Sequence, residues 1–172
     1  MTPSQTTPGQ TTPGQITLTP IGTVVGGRVE PIDDDWDVVD ATIVLDAAQL
    51  DEDATAGLEE FSHLDVVFAF HRVPDDEIQR GARHPRGRTD WPKVGILAQR
   101  GKGRPNRIGV STCELVRVDG LVLHVRGLDA IDGSPVLDVK AHFAEMGPRG
   151  IVRQPDWSRE IMRGYWIVDS SA

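Results

Sequence analysis

The sequence holds a single cysteine, Cys113, in 172 residues. One thiol closes no internal disulfide and assembles no cysteine-based zinc site. Its setting, VSTCELV, leans apolar, which fits a buried structural thiol in a reducing cytoplasm better than a nucleophile. The histidines lack the spacing of a ligand set, so no metal is expected. Long apolar runs are also missing, which leaves no segment to span a membrane and predicts a soluble protein. Charge is absent from the first fifteen residues, MTPSQTTPGQTTPGQ, which repeat TTPGQ. Without a cationic start or an apolar stretch they form neither a signal peptide nor a membrane helix. They read as a disordered tail, residues 1–15, ahead of one domain over 16–168, and the length suits one core better than two.

Basic residues are scarce in one region and crowded in the next. Residues 1–78 carry 2 basic and 16 acidic side chains, residues 79–107 carry 9 and 1, and residues 108–172 carry 7 and 9. Their net charges are −14, +8 and −2 within a total of −8. One cationic segment in an acidic chain predicts an anionic ligand bound at one place rather than general adhesion to nucleic acid. A solvated loop paired with the acidic half is the plainer alternative.

The pattern of residues predicts mostly strands. ITLTPIGTVV and DATIVLDAAQL are rich in β-branched residues and bounded by Gly, Pro and Asp, as strands are. DATAGLEEFSHL predicts one short helix, with Asp53 or Thr55 as N-cap and Leu58, Phe61 and Leu64 on one face. DVVFAFHRV reads as a central strand. In CELVRVDGLVLHVRGL the Asp119-Gly120 pair joins two alternating runs as a tight hairpin. A second Asp-Gly, at 132–133, precedes the strand SPVLDVKAHF. Strands at short spacing with one short helix predict a mainly β fold, a small closed β-barrel. PDDEIQRGARHPRGRTDWP has no strong period and forms a long basic excursion from it.

Four motifs, GLEEFSH, VFAFH, QRGKGRPNRIGVS and GLDAIDGSPVLDVK, stand in the order and approximate spacing of the TrmO family, also called TsaA-like or VirR-like. The chain resembles that family over roughly residues 17–143. The resemblance implies a β-barrel that binds S-adenosylmethionine (SAM) near the interface of a homodimer. It also implies methyl transfer, which the best-known member directs to N6 of threonylcarbamoyl-adenosine beside the tRNA anticodon. Two features depart from the pattern. The family loop runs close to TRSPFRPNPIG, whereas this one is QRGKGRPNRIG, with Arg107 at the second proline. The chain also ends in a helix-like tail, RQPDWSREIMRGYW, and resembles a short form without the additional C-terminal domain of longer members.

SAM presents a sulfonium, an α-carboxylate, a ribose diol and an adenine. Arg100 matches the arginine that opens the family loop, and its planar fork of donors suits a carboxylate. Asp129 and Asp132 supply acceptors for ribose hydroxyls, and the backbone around Ile131 and Gly133 reaches an adenine edge. A β-turn in which Asp132 bonds only its own backbone is the alternative. The resemblance also brings the stretch Pro31, Ile32, Asp33, Asp34 to the cofactor, together with His71, Arg72 and Val110. The run of aspartates at 33–35 otherwise reads as solvated charge. His71 closes an apolar strand at the barrel rim and is the candidate base, since imidazole titrates near neutral pH; a structural rim histidine is the competing reading. His63 reads as a capping or packing residue, and His142 as a further residue facing the site. Arg83, Arg86, Arg88, Lys102, Arg104, Asn106 and Arg107 form the predicted acceptor wall.

Three functions remain open at this point. One is a SAM-dependent methyltransferase acting on an anionic metabolite or nucleotide-sized acceptor. The second is a tRNA N6-methyltransferase. The third is a SAM-binding accessory protein without turnover.

Overall fold

The computed structural model describes residue 14 and residues 16–166, so nearly all of the TTPGQ tail and the last two residues of the predicted domain lie outside it. Pairing begins directly after Pro20, which has no N–H to contribute. Ile21 N–H donates to the Val136 carbonyl at 2.8 Å, and β1 (Gly22–Val25) follows. Residues 16–20 of the first predicted strand therefore stay outside the sheet. The β-branched run DATIVL forms β2 (Asp40–Leu45). HLDVVFA forms β3 (His63–Ala69), whose Leu64, Val66 and Phe68 alternate inward. Two short strands, β4 (Ala82–Arg83) and β5 (Val94–Gly95), pair within the excursion. β6 (Ile108–Asp119) and β7 (Val122–Arg126) make the expected hairpin, and β8 (Pro135–Ala141) follows. Six strands close a barrel in the order β1-β2-β7-β6-β3-β8, every pair antiparallel.

Asp119 pairs with Val122, so the central turn residues are Gly120 and Leu121, one position later than the Asp-Gly signal implies. Gly120 takes the positive φ of 55° that such a turn requires. The core is the barrel interior, filled by Val24, Ile43, Leu64, Val66, Phe68, Leu123, Val125, Leu128 and Val136. The period of two sets it, because successive side chains point to opposite faces of a strand.

The helix predicted over 53–64 does not form. Gly57 turns left-handed at φ 84° and only one 3₁₀ turn, Leu58–Glu60, follows. Thr55 caps nothing; its hydroxyl donates to the Gly120 carbonyl at 2.9 Å. The one α-helix among the described residues is α1 (Asp156–Ile161), in the helix-like tail. Cys113 is buried in the core. Burial pushes its thiol up to about 12, so it is unreactive at neutral pH. No described helix is long and apolar enough to cross a membrane.

Candidate functional site

Strand direction decides which loops meet. β1, β3 and β7 finish, and β2, β6 and β8 start, at the same barrel end, as the pairs Thr23–Pro135, Ala69–Ile108 and Asp40–Arg126 require. Loops 26–39, 70–107 and 127–134 therefore share one rim. Cross-bonds fasten them: Asp132 Oδ1 accepts from Gly26 N–H at 2.8 Å, and Asp132 N–H donates to the Arg28 carbonyl at 2.7 Å. Gly133 N–H donates to the Val24 carbonyl at 2.8 Å. Arg72 reaches the Val29 carbonyl at 3.0 Å, and Lys102 Nζ the Pro31 carbonyl at 3.4 Å.

Within the aspartate run Asp34 is paired, while the carboxylates of Asp33 and Asp35 remain exposed. Arg28 donates to the carbonyls of Asp34 and Asp35 and lies 4.7 Å from the Trp36 ring centroid. Arg86 grips Asp34 with two bonds, at 2.7 and 3.0 Å, and stands 3.7 Å from Asp33. This paired geometry fixes a loop that its own charge repulsion would otherwise open.

His71 sits at the rim with Nδ1 3.4 Å from Ser134 Oγ. Its Nε2 lies 3.6 Å from the position a Cβ on Gly133 would take. Partial loss of solvent and then the adjacent Arg72 guanidinium push its pKa below the ordinary 6.5, against the opposing Ala69 backbone and Asp132 carboxylate. The imidazole is thus neutral at physiological pH and able to accept a proton. Because the folded chain binds that proton less readily than the unfolded one, its neutral form stabilises the fold above pH 6.5, and the contribution is lost as pH falls. An NMR titration should place the His71 midpoint below 6.5, and Arg72→Gln should raise it; an unmoved midpoint would remove Arg72 as a cause.

Part of the predicted acceptor wall is engaged in ion pairs. Arg86 is held by Asp33 and Asp34, Arg107 by Asp75, and Arg88 by Asp90 while its guanidinium carbon lies 4.0 Å over the Trp91 ring. Arg83 is half-buried under Gly101, whose Cβ would stand 2.8 Å from Nη2. Three of the seven predicted acceptor residues thus pair within the protein, whereas the Nε of Arg83 is buried with no hydrogen-bond partner among the described residues. Lys102, Arg104 and Asn106 stay on the rim loop. Val110 lies on the outer wall of β6, where its carbonyl accepts from Arg100. His142 and His63 lie at the opposite barrel end, because β8 finishes and β3 starts there; His142 Nδ1 meets Asp65 Oδ2 at 3.0 Å and His63 Nδ1 meets Ser62 Oγ at 2.8 Å. Asp138, on β8, pairs with Lys140.

Asp129 is the most informative carboxylate of the rim. Tyr165 donates to Oδ2, while Oδ1 is buried and makes no hydrogen bond within the described chain. The tail carrying Tyr165 did not figure among the predicted site residues; the aromatic pair Tyr165–Trp166 directly after the helical stretch was the available signal. Among the described residues no cluster of three or more His, Cys, Asp or Glu can hold a metal.

A family model described as the tRNA-methyltransferase O N-terminal domain matches residues 31–147. Over 102 residues the chain is 40% identical to the tRNA (adenine(37)-N6)-methyltransferase of Escherichia coli strain K12, covering 56% of this chain and 43% of that protein. Over 98 residues it is 40% identical to a probable S-adenosyl-L-methionine-binding protein of Methanothermobacter thermautotrophicus, covering 57% of this chain and 67% of that one. A crystal structure of TrmO matches with a TM-score of 0.68 at 25% identity, over 82% of this chain and 64% of that chain. The chain spans only 21% to 43% of the tRNA (adenine(37)-N6)-methyltransferases of mouse and Escherichia coli.

Proposed function

The chain belongs to the tRNA-methyltransferase O N-terminal domain family, and on that premise we propose that it is a SAM-dependent methyltransferase whose rim loops bind the cofactor. The observation that carries the reading is the buried Oδ1 of Asp129, which has no partner among the described residues and is an acceptor that a hydroxyl or amine of a bound ligand would satisfy. Arg100 supports it: the side chain is exposed, its one hydrogen bond goes to a neutral carbonyl, and it has no carboxylate partner among the described residues. Acceptor and cation together fit the diol or ammonium and the carboxylate of SAM. When bound, SAM supplies an electrophilic methyl group. The chain's own part is to hold the loops in place, through Arg28, Arg86 and Asp132, and to offer neutral His71 as the group that takes a proton from the acceptor.

For the acceptor we propose an anionic metabolite or nucleotide-sized molecule. Arg86, Arg88 and Arg107 already face carboxylates, so the +8 of residues 79–107 presents far fewer cations outward than the count implies. Transfer RNA is the second reading, favoured by the names of the relatives. A homodimer belongs to the same proposal; Leu97, 84% exposed, and Val110 and Val116 on the outer face of β6 are apolar side chains consistent with it.

Incubation with methyl-labelled SAM, a small-molecule extract and purified tRNA tests the proposal. The label is expected in the small-molecule fraction. Acceptor affinity should then fall only shallowly between roughly 50 and 200 mM salt, since a small anion carries no condensed counterion layer to release. Labelled tRNA with a loss of about a hundredfold, the signature of four phosphates, would put the second reading first. SAM binding with no label in either pool would leave the accessory role.

A further inference from the structure

The tail that follows the matched segment is built into the rim. Asp35 N–H donates to the Gly164 carbonyl at 2.9 Å and Trp36 N–H to the Tyr165 carbonyl at 3.0 Å. These backbone bonds tie the tail to the same loop that Arg28 and Arg86 brace. One turn earlier, Glu160 Oε2 accepts from Trp91 Nε1 at 2.8 Å, and Trp91 is only 5% exposed, so that indole has its partner in the tail. Trp166 lies against Gly127, 3.8 Å from where a Cβ would stand, and Tyr165 and Trp166 pack edge to face with centroids 5.0 Å apart. Four anchors on loops 33–36, 85–92 and 127–129 are more than a fraying end needs.

What the anchors deliver is the Tyr165 hydroxyl, placed on Asp129 Oδ2. A carboxylate with one oxygen held by a fixed donor has its plane fixed as well, and the other oxygen keeps its acceptor capacity unused. The neighbouring carboxylate of the same loop, Asp132, accepts from Gly26 through Oδ1; Asp129 differs in that its second oxygen is buried with no hydrogen-bond partner among the described residues. Resting on the reading that this site takes SAM, we infer that Tyr165, contributed by the tail and not by the matched segment, is a positioning residue that orients Asp129 so that Oδ1 accepts from an O–H or N–H of the cofactor. Burial and then the Asp129 charge push the phenol's pKa up, so it remains a donor throughout the working pH range.

The test is calorimetric titration of SAM into the whole protein and three variants, Tyr165→Phe, Asp129→Asn and the double variant, each held well below its own melting temperature. Tyr165→Phe keeps the ring packed on Trp166 and removes only the hydroxyl. It should weaken SAM by about tenfold, and Asp129→Asn by about as much or more. The discriminating result is the double variant: if Tyr165 acts through Asp129, it binds SAM no worse than Asp129→Asn alone. A hydroxyl that merely stabilises the fold would instead lower Tm in both backgrounds and leave SAM affinity unchanged in each. Equal losses in the two backgrounds, an unchanged affinity in Tyr165→Phe, or a tighter one showing that the tail competes with the cofactor, would each overturn the inference. A wild-type protein that fails to bind SAM would refute the cofactor reading itself, a result separate from all of these.

Discussion

Gly109→Ala should lower the stability of this barrel by about 3 kcal/mol, or roughly 6 to 12 °C in Tm for a chain of this size, and Gly109→Val should prevent folding. The reason is local. A Cβ at 109 would stand 2.4, 2.6 and 2.9 Å from three ring carbons of Phe68, distances that no real Cβ contact reaches. The Phe68 ring cannot step aside, because it is 1% exposed and also packs edge-on against Phe70 with centroids 5.2 Å apart. Phe68 pairs across β3 and β6 with Gly109 itself, so the ring lies over its own cross-strand neighbour. Thermal melts of Gly109→Ala, Phe68→Leu and the pair provide the check. Shortening the ring should rescue the alanine, so the double variant should lose about 1 to 2 kcal/mol less than the sum of the singles. Strict additivity, or a Gly109→Ala protein melting like the wild type, would show that the clash is relieved elsewhere.

The same pair shows what was legible in the sequence. A nearly continuous apolar run marks DVVFAFHRV as a central strand, and two alternating runs around Asp119-Gly120 mark the 113–128 region as a hairpin, because both are local properties that a closed barrel preserves. The helix over 53–64 was wrong for a local reason as well: Gly57 offered a left-handed turn that costs no Cβ strain, and the chain took it. For the site, the family resemblance brings His71, Arg100, Asp129 and Asp132 to one cofactor, and the strand pairing sets the loops that carry them at one rim. Partner choice was not legible. Arg86 and Asp34 lie 52 residues apart, Arg107 and Asp75 32, Trp91 and Glu160 69. A count of charge per segment names no partners, which is why a basic loop paired with the acidic half and an open acceptor wall both fit the sequence.

Pairing also separates the arginines that act on a ligand from those that hold the protein together, and the sharpest case is Arg100→Ala. Removing Arg86 leaves Asp34 unpaired beside two further carboxylates, so its main effect falls on loop 33–36. Arg100 is different. It is exposed and bonds only the Val110 carbonyl, so its loss should change stability by less than about 0.5 kcal/mol. Its charge also bears on the Tyr165 phenol that donates to Asp129, so a cation with no carboxylate partner among the described residues acts on the part of the rim where Asp129 keeps an unpartnered oxygen. If it pairs with the carboxylate of SAM, its removal forfeits a charge-assisted contact of about 1.5 to 3 kcal/mol, roughly a ten- to hundredfold weaker Kd. Arg100→Lys should recover part of that loss but not all, because an ammonium keeps the charge and gives up the two-pronged geometry. The melting curve should not move in either variant, which distinguishes this residue from Gly109. Calorimetry giving the wild-type Kd for Arg100→Ala would take Arg100 out of the site and leave Asp129 and Tyr165 to hold the cofactor without it.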